Sequence, residues 1–127
     1  MSHMGIRVAL AIGIAAGAIG CGAPTATVVT GRELYASNGC ASCHGASGHG
    51  DGPVAKTLVP PPRDFRDAAA FKNGADVAAI SATLASGLSR DGGRMPQFQH
   101  LTRDERASLA MYVISLRTDP QDSKEQP

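Results

Sequence analysis

The N-terminal part of the chain carries a continuous apolar run in place of an amphipathic pattern. Arg7 is followed by apolar and small residues over positions 8–19. Secretory signal peptides typically have a positive residue, then an apolar run of this length, and then small residues at the cleavage site. The run is shorter than the roughly 20 apolar residues that cross a bilayer as a helix. Residues 1–20 are therefore predicted to be a signal peptide, with a cloning remnant at residues 1–3.

A short first helix is predicted after this segment, over residues 31–38. Thr30 and Glu33 have the spacing of a capping box, in which a hydroxyl and a carboxylate satisfy the free amides of a helix start. Asn38, followed by a glycine, is a typical helix stop. Residues 21–29, which precede this helix, are interpreted as a tether.

A second helical pattern covers residues 75–87. Val77, Ile80 and Leu84 recur at the spacing of one helix face. Gly87 then provides a stop, because glycine readily adopts the left-handed conformation that ends a helix. We therefore expect a central helix here.

The clearest helical pattern begins at Thr102. Thr102 and Glu105 form a second capping box, and acidic residues occupy the first turn, as the helix dipole prefers. Arg117 is expected in the final turn. One face carries apolar residues at helical spacing, namely Leu109, Tyr112 or Val113, and Leu116.

Glycine and proline dominate the segments between these helices. Positions 45–53 hold four Gly and one Pro, positions 60–62 are consecutive prolines, and positions 91–96 are predicted to form another loop. No segment shows the alternating pattern of a strand. The predicted fold class is all-α: a domain over residues 30–118 with helices at both ends, one or two between them and long loops. A disordered tail is predicted at residues 119–127.

The composition indicates a small core and a neutral surface. The chain holds 12 Lys and Arg residues and 11 Asp and Glu residues, and removal of Arg7 with the signal peptide balances the two. No basic stripe indicates a nucleic-acid partner. The chain has no Trp, three Phe and two Tyr, which leaves little bulk for the core of a small domain. A buried macrocycle would supply the missing apolar volume.

Cys40, Cys43 and His44 form a Cys-x-x-Cys-His motif directly after the first predicted helix. Two thiols at this spacing reach the two vinyl groups on one edge of a haem, and the adjacent His lies beneath the iron as proximal ligand. A structural zinc site needs about four ligands, usually in paired motifs, and the sequence has no second Cys pair. A thioredoxin-like redox motif needs a βαβ context that this pattern lacks. The motif therefore predicts haem c attached covalently through Cys40 and Cys43, with His44 bound to its iron.

Other short motifs accompany this one along residues 31–117. They are Gly31-Arg32-Glu33-Leu34-Tyr35, Gly45 after the His, Gly48-x-Gly50-x-Gly52-Pro53, Met95-Pro96-x-Phe98, and a last helix that bears Tyr112. Together they resemble a class I (mitochondrial-like) cytochrome c of bacterial type, with a looser match in the central part. The resemblance implies a compact helical fold in which the first and last helices cross around one haem. It also implies single-electron transfer.

The sixth iron ligand has four candidates besides His44. Met95 precedes a proline and follows two glycines, which places it on extended backbone that can approach a flat cofactor. Its position also matches the distal ligand of the family. Met111 lies within the last helix, where a packing role is more usual, and His49 is close in sequence to the proximal ligand. His100 is the rival to Met95, because a bis-His site needs only a different loop conformation.

The resemblance implies further contacts to the cofactor. The Pro53 carbonyl would accept the second N–H of the proximal imidazole, although a rigid turn is the alternative role for this proline. Arg63 and Arg94 are candidate partners of the haem propionates, although surface arginines often have no such role. Phe98 is assigned to the haem site together with Met95.

A thioether and an imidazole on the iron favour the ferrous state and leave no open position for oxygen or peroxide. We therefore expect the protein to be a single-electron carrier and not an enzyme. It would act in a bacterial periplasmic electron-transfer chain, either respiratory or photosynthetic. Its redox partners are expected to dock at the haem edge. One alternative is an electron-entry subunit of a larger oxidase or dehydrogenase complex. Another is a haem sensor or peroxidase-like protein with a labile distal ligand.

Cys21 is the third cysteine and directly follows the predicted signal peptide. The segment that ends at Cys21 resembles a bacterial lipobox, with Ala18 at a position where Leu is usual. The resemblance implies lipidation of Cys21 and a periplasmic protein anchored to the membrane. The alternative is an ordinary signal peptide cleaved nearby, with Cys21 incidental.

Overall fold

A computed structural model of the protein describes residues 25–90 and 93–117. The signal peptide, Cys21 and the predicted disordered tail lie outside the described residues. The described part is mostly helical, which confirms the predicted all-α class. Its helices are α1 (Val28–Ser37), α2 (Ala41–His44), α3 (Val77–Ser86) and α4 (Arg103–Ser115). Two short strands, β1 (Leu88–Arg90) and β2 (Gly93–Met95), and two 3₁₀ turns, Ala55–Thr57 and Ala68–Ala70, lie between them.

Helix α1 begins earlier than its sequence pattern predicted. Its N-cap is Thr27, whose hydroxyl accepts a hydrogen bond from the Thr30 N–H at 3.1 Å. The predicted capping box at Thr30 is therefore wrong, and the two valines before Thr30 belong to the helix and not to the tether. The Thr27 N–H also donates to the Ser108 hydroxyl of α4 at 3.1 Å, so a tertiary contact helps to fix the helix start. Asn38 caps the other end, as predicted.

Helices α1 and α4 pack against each other, which confirms that the first and last helices cross. Gly31 is buried at this contact. A Cβ at Gly31 would overlap the carbonyl oxygen of Ser108 and lie 2.8 Å from the Cβ of Tyr112. The two backbones therefore approach closely because Gly31 has no side chain.

The apolar faces of α3 and α4 form the core with side chains from the rest of the domain. The predicted face of α3 is confirmed for Ile80 and Leu84, which are buried, whereas Val77 is half-buried. On α4, Val113 is buried and Tyr112 is half-buried. The buried cluster consists of Tyr35, Phe65, Ile80, Leu84, Leu109, Ala110, Val113 and Leu116.

Helix α3 is slightly shorter than the predicted span of residues 75–87. Asp76 is its N-cap, and its carboxylate accepts the Ala79 N–H at 2.9 Å. Gly87 ends the helix with a φ of +68°, as predicted. The first helical residue, Val77, thus lies two positions inside the predicted start.

A two-stranded antiparallel sheet follows α3, which corrects the expectation of no strands and of a loop at residues 91–96. Leu88 pairs with Met95, and Ser89 pairs with Arg94. Each strand has only three residues. A strand of that length is too short to show an alternating pattern, so the sequence carried no signal for it.

Helix α4 starts with the capping box that the sequence predicted. The Thr102 hydroxyl accepts the Glu105 N–H at 3.2 Å, and the Glu105 carboxylate accepts the Thr102 N–H at 2.7 Å. The helix ends at Ser115, so Arg117 lies beyond the final turn in which it was expected. Within the described residues, no helix has the length and apolar character needed to cross a membrane.

Arg117 connects the end of α4 to the irregular middle of the chain. Its guanidinium donates hydrogen bonds to the carbonyl oxygens of Phe65 at 3.0 Å and Ala75 at 2.9 Å. It also lies 4.4 Å from the centre of the Phe71 ring, in a cation–π contact. The last residue of the described domain thus holds two segments that have no regular structure.

Candidate haem-attachment site

Helix α2 is a single turn that carries the Cys-x-x-Cys-His motif. The Cys40 carbonyl accepts the His44 N–H at 2.9 Å, and the Gly45 N–H donates to Ala41 at 2.9 Å. Because residues three apart on a helix are neighbours, this turn brings Cys40 and Cys43 to the same side. Both thiols are free and half-buried.

The thiol of Cys40 is held in its protonated form. Burial is the main cause that raises the pKa of Cys40 to about 11, with a smaller contribution from the nearby Cys43. Cys40 is therefore a neutral thiol at physiological pH. A protonated thiol in apolar surroundings is a poor nucleophile, which argues against a thiol-redox role for Cys40.

The imidazole of His44 lies in an apolar environment. It stacks on Phe65 with ring centres 4.6 Å apart and an angle of 27° between the planes. Burial lowers the pKa of His44, although a hydrogen bond to the backbone of Arg63 opposes this effect. The ring is therefore held in the neutral form that binds metals. Its Nδ1 is buried and has no hydrogen-bond partner among the described residues.

A glycine-rich loop folds back over α2. The Gly50 N–H donates to the His44 carbonyl at 2.9 Å, and the Gly52 N–H donates to the Cys43 carbonyl at 3.1 Å. A Cβ at Gly52 would overlap the carbonyl oxygen of Ser42. The repeated glycines in this loop therefore allow close backbone packing around the motif.

Tyr35 contributes a hydrogen bond to the site that the sequence pattern did not reveal. Its buried hydroxyl donates to the Gly45 carbonyl at 2.7 Å. The ring also makes edge contacts with Phe65, at 6.4 Å between centres, and with Tyr112, at 5.3 Å. Phe65 thus supports the proximal histidine directly, and Tyr35 packs against Phe65. The one sequence signal for the importance of Phe65 is that the chain has only three phenylalanines.

The structure places Met95 and Phe98 beside the same core. Met95 ends β2, is half-buried and packs against the buried cluster, as do Phe98 and Cys40. The Phe98 N–H donates to the Leu84 carbonyl of α3 at 2.8 Å. The backbone after β2 is thus fixed to the core three residues beyond Met95.

The other ligand candidates occupy different environments. His100 is exposed, and its Nε2 lies 2.9 Å from Oδ1 of Asn38 in a hydrogen bond between the two side chains. Met111 is half-buried within α4, and His49 is half-buried in the glycine-rich loop. The side chain of His100 is thus hydrogen-bonded at the surface, at the end of α1, whereas Met95 packs against the core.

Three further residues, Pro53, Arg63 and Arg94, were predicted to contact the haem or its proximal ligand. Nδ1 of His44 has no partner among the described residues, so the hydrogen bond to the Pro53 carbonyl is not formed in this structure. Arg63 is half-buried next to the proximal imidazole, whereas the side chain of Arg94 is exposed on β2. The roles of Pro53, Arg63 and Arg94 towards a haem stay predictions.

The donor set fits a covalently attached haem better than a protein-bound metal ion. No group of three or more His, Cys, Asp or Glu side chains able to hold a metal ion exists in the described ranges. Two adjacent free thiols, one neutral imidazole with an unpartnered nitrogen and one thioether are the groups that a c-type haem uses. Cys40, Cys43 and His44 would hold it on one side, and the role of Met95 as the ligand on the other side stays a prediction.

The fold and the motif together define a class, a small helical domain that attaches haem c through Cys-x-x-Cys-His. The family model described as Cytochrome c matches residues 28–117, which is more than half of the chain. The chain belongs to the cytochrome c family, and haem c attached through Cys40 and Cys43 is its cofactor. Comparison with curated protein sequences gives no match.

A solved structure is also similar to this chain. It is a chain of the reducing HAO-like protein complex of Kuenenia stuttgartiensis, with 34% sequence identity and a TM-score of 0.61. The match covers 70% of this chain and 43% of that chain. The protein thus spans less than half of the length of this relative.

Proposed function

We propose that the protein is a single-electron carrier in which His44 and Met95 are the two axial ligands of the haem iron. The observation that carries the proposal is the half-buried, neutral imidazole of His44, which stacks on Phe65 and lies next to both attachment cysteines in the motif. Met95 supports the proposal as well, because it packs against the buried cluster that includes Phe65. When bound, the haem supplies an iron that alternates between ferrous and ferric states.

The residues of this chain favour electron transfer over chemistry on a substrate. With His44 and Met95 as its protein ligands, the iron would have no open position for a small ligand. Phe65 and Tyr35 exclude water from the proximal side, because both are buried. The stacking of His44 on Phe65 would keep the imidazole in one orientation.

Replacement of Met95 by Ala tests the ligand assignment. The oxidised wild-type holoprotein should show the weak red-region absorption band of an iron–sulfur bond. Met95→Ala should abolish this band and leave the haem attached, because Cys40 and Cys43 are unchanged. The measurement is the absorption spectrum of the oxidised protein, with haem attachment checked by mass.

Met111→Ala is the matched control, because Met111 is also half-buried but lies in α4. It should leave the red band unchanged. Loss of the band in Met111→Ala with retention in Met95→Ala would make the proposed ligand wrong. Tight binding of carbon monoxide by the reduced wild type would instead favour a sensor or peroxidase-like protein with a labile distal ligand.

A second candidate function is that of an electron-entry subunit in a larger complex. The similar chain from Kuenenia stuttgartiensis belongs to a complex and is more than twice as long as the region that matches. This favours a domain that delivers electrons to an attached oxidase or reductase. Purification from native membranes in mild detergent decides between the two: a stoichiometric catalytic subunit supports this candidate, and an isolated monomer supports the free carrier.

We also propose a periplasmic location with a lipid anchor on Cys21. The support is the sequence: an apolar run over residues 8–19 and a cysteine directly behind the predicted cleavage point. The intact mass of the mature protein from membranes should equal that of a chain starting at an acylated Cys21. A free amino terminus at another residue would contradict the anchor without affecting the proposed electron transfer.

A further inference from the structure

An exposed apolar segment lies next to the haem-attachment motif. Val59 is 78% exposed and Val54 is 41% exposed. Single exposed apolar residues are common, but several within one short segment are characteristic of an interaction surface. The segment is residues 53–62, called the proline loop below. Its exposed apolar residues are Pro53, Val54, Val59, Pro60 and Pro61.

The proline loop is fixed to the motif at its start. The Val54 N–H donates to the Ser42 carbonyl of α2 at 3.1 Å. Gly52, directly before the loop, donates to the Cys43 carbonyl at 3.1 Å. The first residues of the loop therefore lie on the helix that carries the two thioether positions.

The end of the loop is also held in place. A Cβ at Gly50 would lie 2.5 Å from the Pro62 carbonyl oxygen, so the two backbones are in close contact. Between its ends, the loop contains the 3₁₀ turn Ala55–Thr57 and three consecutive prolines. Prolines restrict the backbone, so docking on this loop requires little additional ordering.

The charge of the loop selects the kind of partner. Lys56 is its only charged residue. An apolar surface with so little charge fits another uncharged apolar surface, and association between the two needs no electrostatic steering. A bilayer is the less suitable partner, because interfacial segments carry several Lys or Arg residues beside large apolar side chains.

We infer that the proline loop is the surface on which a redox partner protein with an uncharged, apolar face docks. The inference rests on the proposed electron-carrier function. It assigns the route of electron exchange to the side of the domain where α2 and the loop are in contact. Docking at this surface would bring the partner next to the attachment cysteines.

The test uses two variants that change the net charge equally. Val59→Lys introduces a charge into the loop, and Val29→Lys introduces the same charge on α1, where Val29 is 69% exposed. Both are made in the haem-loaded protein. The probe is a small blue-copper protein with an uncharged apolar face around its copper, and stopped-flow absorbance gives the second-order rate of electron transfer.

We expect Val59→Lys to lower this rate by about tenfold or more, because docking would bury an unpaired charge. Val29→Lys should stay within about twofold of the wild type. The wild-type rate should change by less than about threefold between low and high salt, because little charge is involved. Equal rates for the two variants would overturn the inference.

Two further measurements separate the possible failures. Oxidation by ferricyanide needs no docking surface, so a protein that ferricyanide does not oxidise contradicts the electron-carrier function itself. Normal oxidation by ferricyanide with equal partner rates in both variants contradicts only the role of the loop. Sedimentation of the wild type with phosphatidylcholine vesicles, lost in Val59→Lys, would assign the loop to a lipid surface and overturn the protein partner.

Discussion

The hydroxyl of Tyr35 fixes the backbone directly after the proximal ligand. It donates to the carbonyl of Gly45, the residue that follows His44. Burial raises the pKa of Tyr35, so the hydroxyl stays protonated and remains a donor at physiological pH. A single buried hydrogen bond thus joins α1 to the end of the attachment motif.

Tyr35→Phe should lower the free energy of unfolding of the holoprotein by about 1–3 kcal/mol, because the buried Gly45 carbonyl loses its partner. Urea unfolding followed by circular dichroism measures this change. Tyr112→Phe is the control, since it removes a hydroxyl from a half-buried tyrosine of the same aromatic cluster, and it should have a smaller effect. Equal losses in the two variants would show that the Tyr35 bond has no particular role.

Residues whose chemistry is set by local spacing were predictable from the sequence. Cys40, Cys43 and His44 fall in this class, because one helical turn fixes their relative positions. Phe65 was not predictable, because it reaches His44 only through the folded glycine-rich loop, in which the Phe65 N–H donates to the Gly48 carbonyl at 2.7 Å. Contacts of that kind depend on the tertiary fold.

At the scale of the helices, the contact between α1 and α4 depends on Gly31. Gly→Ala within a helix normally stabilises by about 0.5–1 kcal/mol. Here the added Cβ would overlap the backbone carbonyl of Ser108, which cannot move without separating the helices. Gly31→Ala should therefore destabilise the protein, by about 1–3 kcal/mol.

Thermal unfolding of Gly31→Ala and of Arg32→Ala checks this expectation. Arg32 is the next residue on the same helix and is exposed, so its replacement should change stability by less than about 0.5 kcal/mol. If Gly31→Ala is as stable as the wild type, the two helices can move apart without lowering the free energy of unfolding, which would contradict this expectation.

The capping box of α4 makes its start sensitive to pH. The Thr102 N–H donates to the Glu105 carboxylate, which lowers the pKa of Glu105 below its ordinary value of 4.5. The folded state therefore binds the proton less readily than the unfolded state. The resulting stabilisation is present above pH 4.5 and is lost as the pH falls through the lowered pKa.

Glu105→Gln keeps a hydrogen-bond acceptor but does not titrate. We expect the urea midpoint of the wild type to fall further than that of Glu105→Gln between about pH 6 and about pH 3. Parallel pH profiles of the two proteins would show that the carboxylate contributes nothing to this helix start.

The helix boundaries show where sequence patterns are insufficient. Thr30 and Glu33 have the spacing of a capping box, yet Thr27 is the cap because Ser108 binds its N–H. At α4 the capping box of Thr102 and Glu105 was predicted correctly, and both of its hydrogen bonds are local. Local patterns thus hold where tertiary contacts do not oppose them.

At the scale of the whole molecule, Arg117 joins the last helix to the segments around Phe65 and Ala75. Arg117→Lys should lower the free energy of unfolding by about 1–2 kcal/mol, because an ammonium cannot bond both carbonyls and also lie over the Phe71 ring. Guanidinium denaturation measures the loss. Arg103→Lys, at an exposed position on α4, is the control and should change stability by less than about 0.5 kcal/mol. Equal effects of the two substitutions would contradict the connecting role of Arg117.

The overall architecture was predictable to the level of its class and its terminal helices. The crossing of α1 and α4 followed from the family resemblance and is confirmed by the packing at Gly31. The small sheet and the position of Arg117 beyond α4 were missed, because both depend on how the middle of the chain folds. That middle has few apolar residues and many glycines, so its own pattern carries little information.

The bond between Thr27 and Ser108 limits how far the domain can travel. Only five residues separate Cys21 from Thr27, and a linker of this length extends to roughly 20 Å. With a lipid on Cys21, as proposed, that linker would be shorter than the roughly 30 Å diameter of a small domain. The protein would then diffuse in two dimensions along the membrane surface, where it would meet partners anchored in the same membrane more often than a freely diffusing protein would.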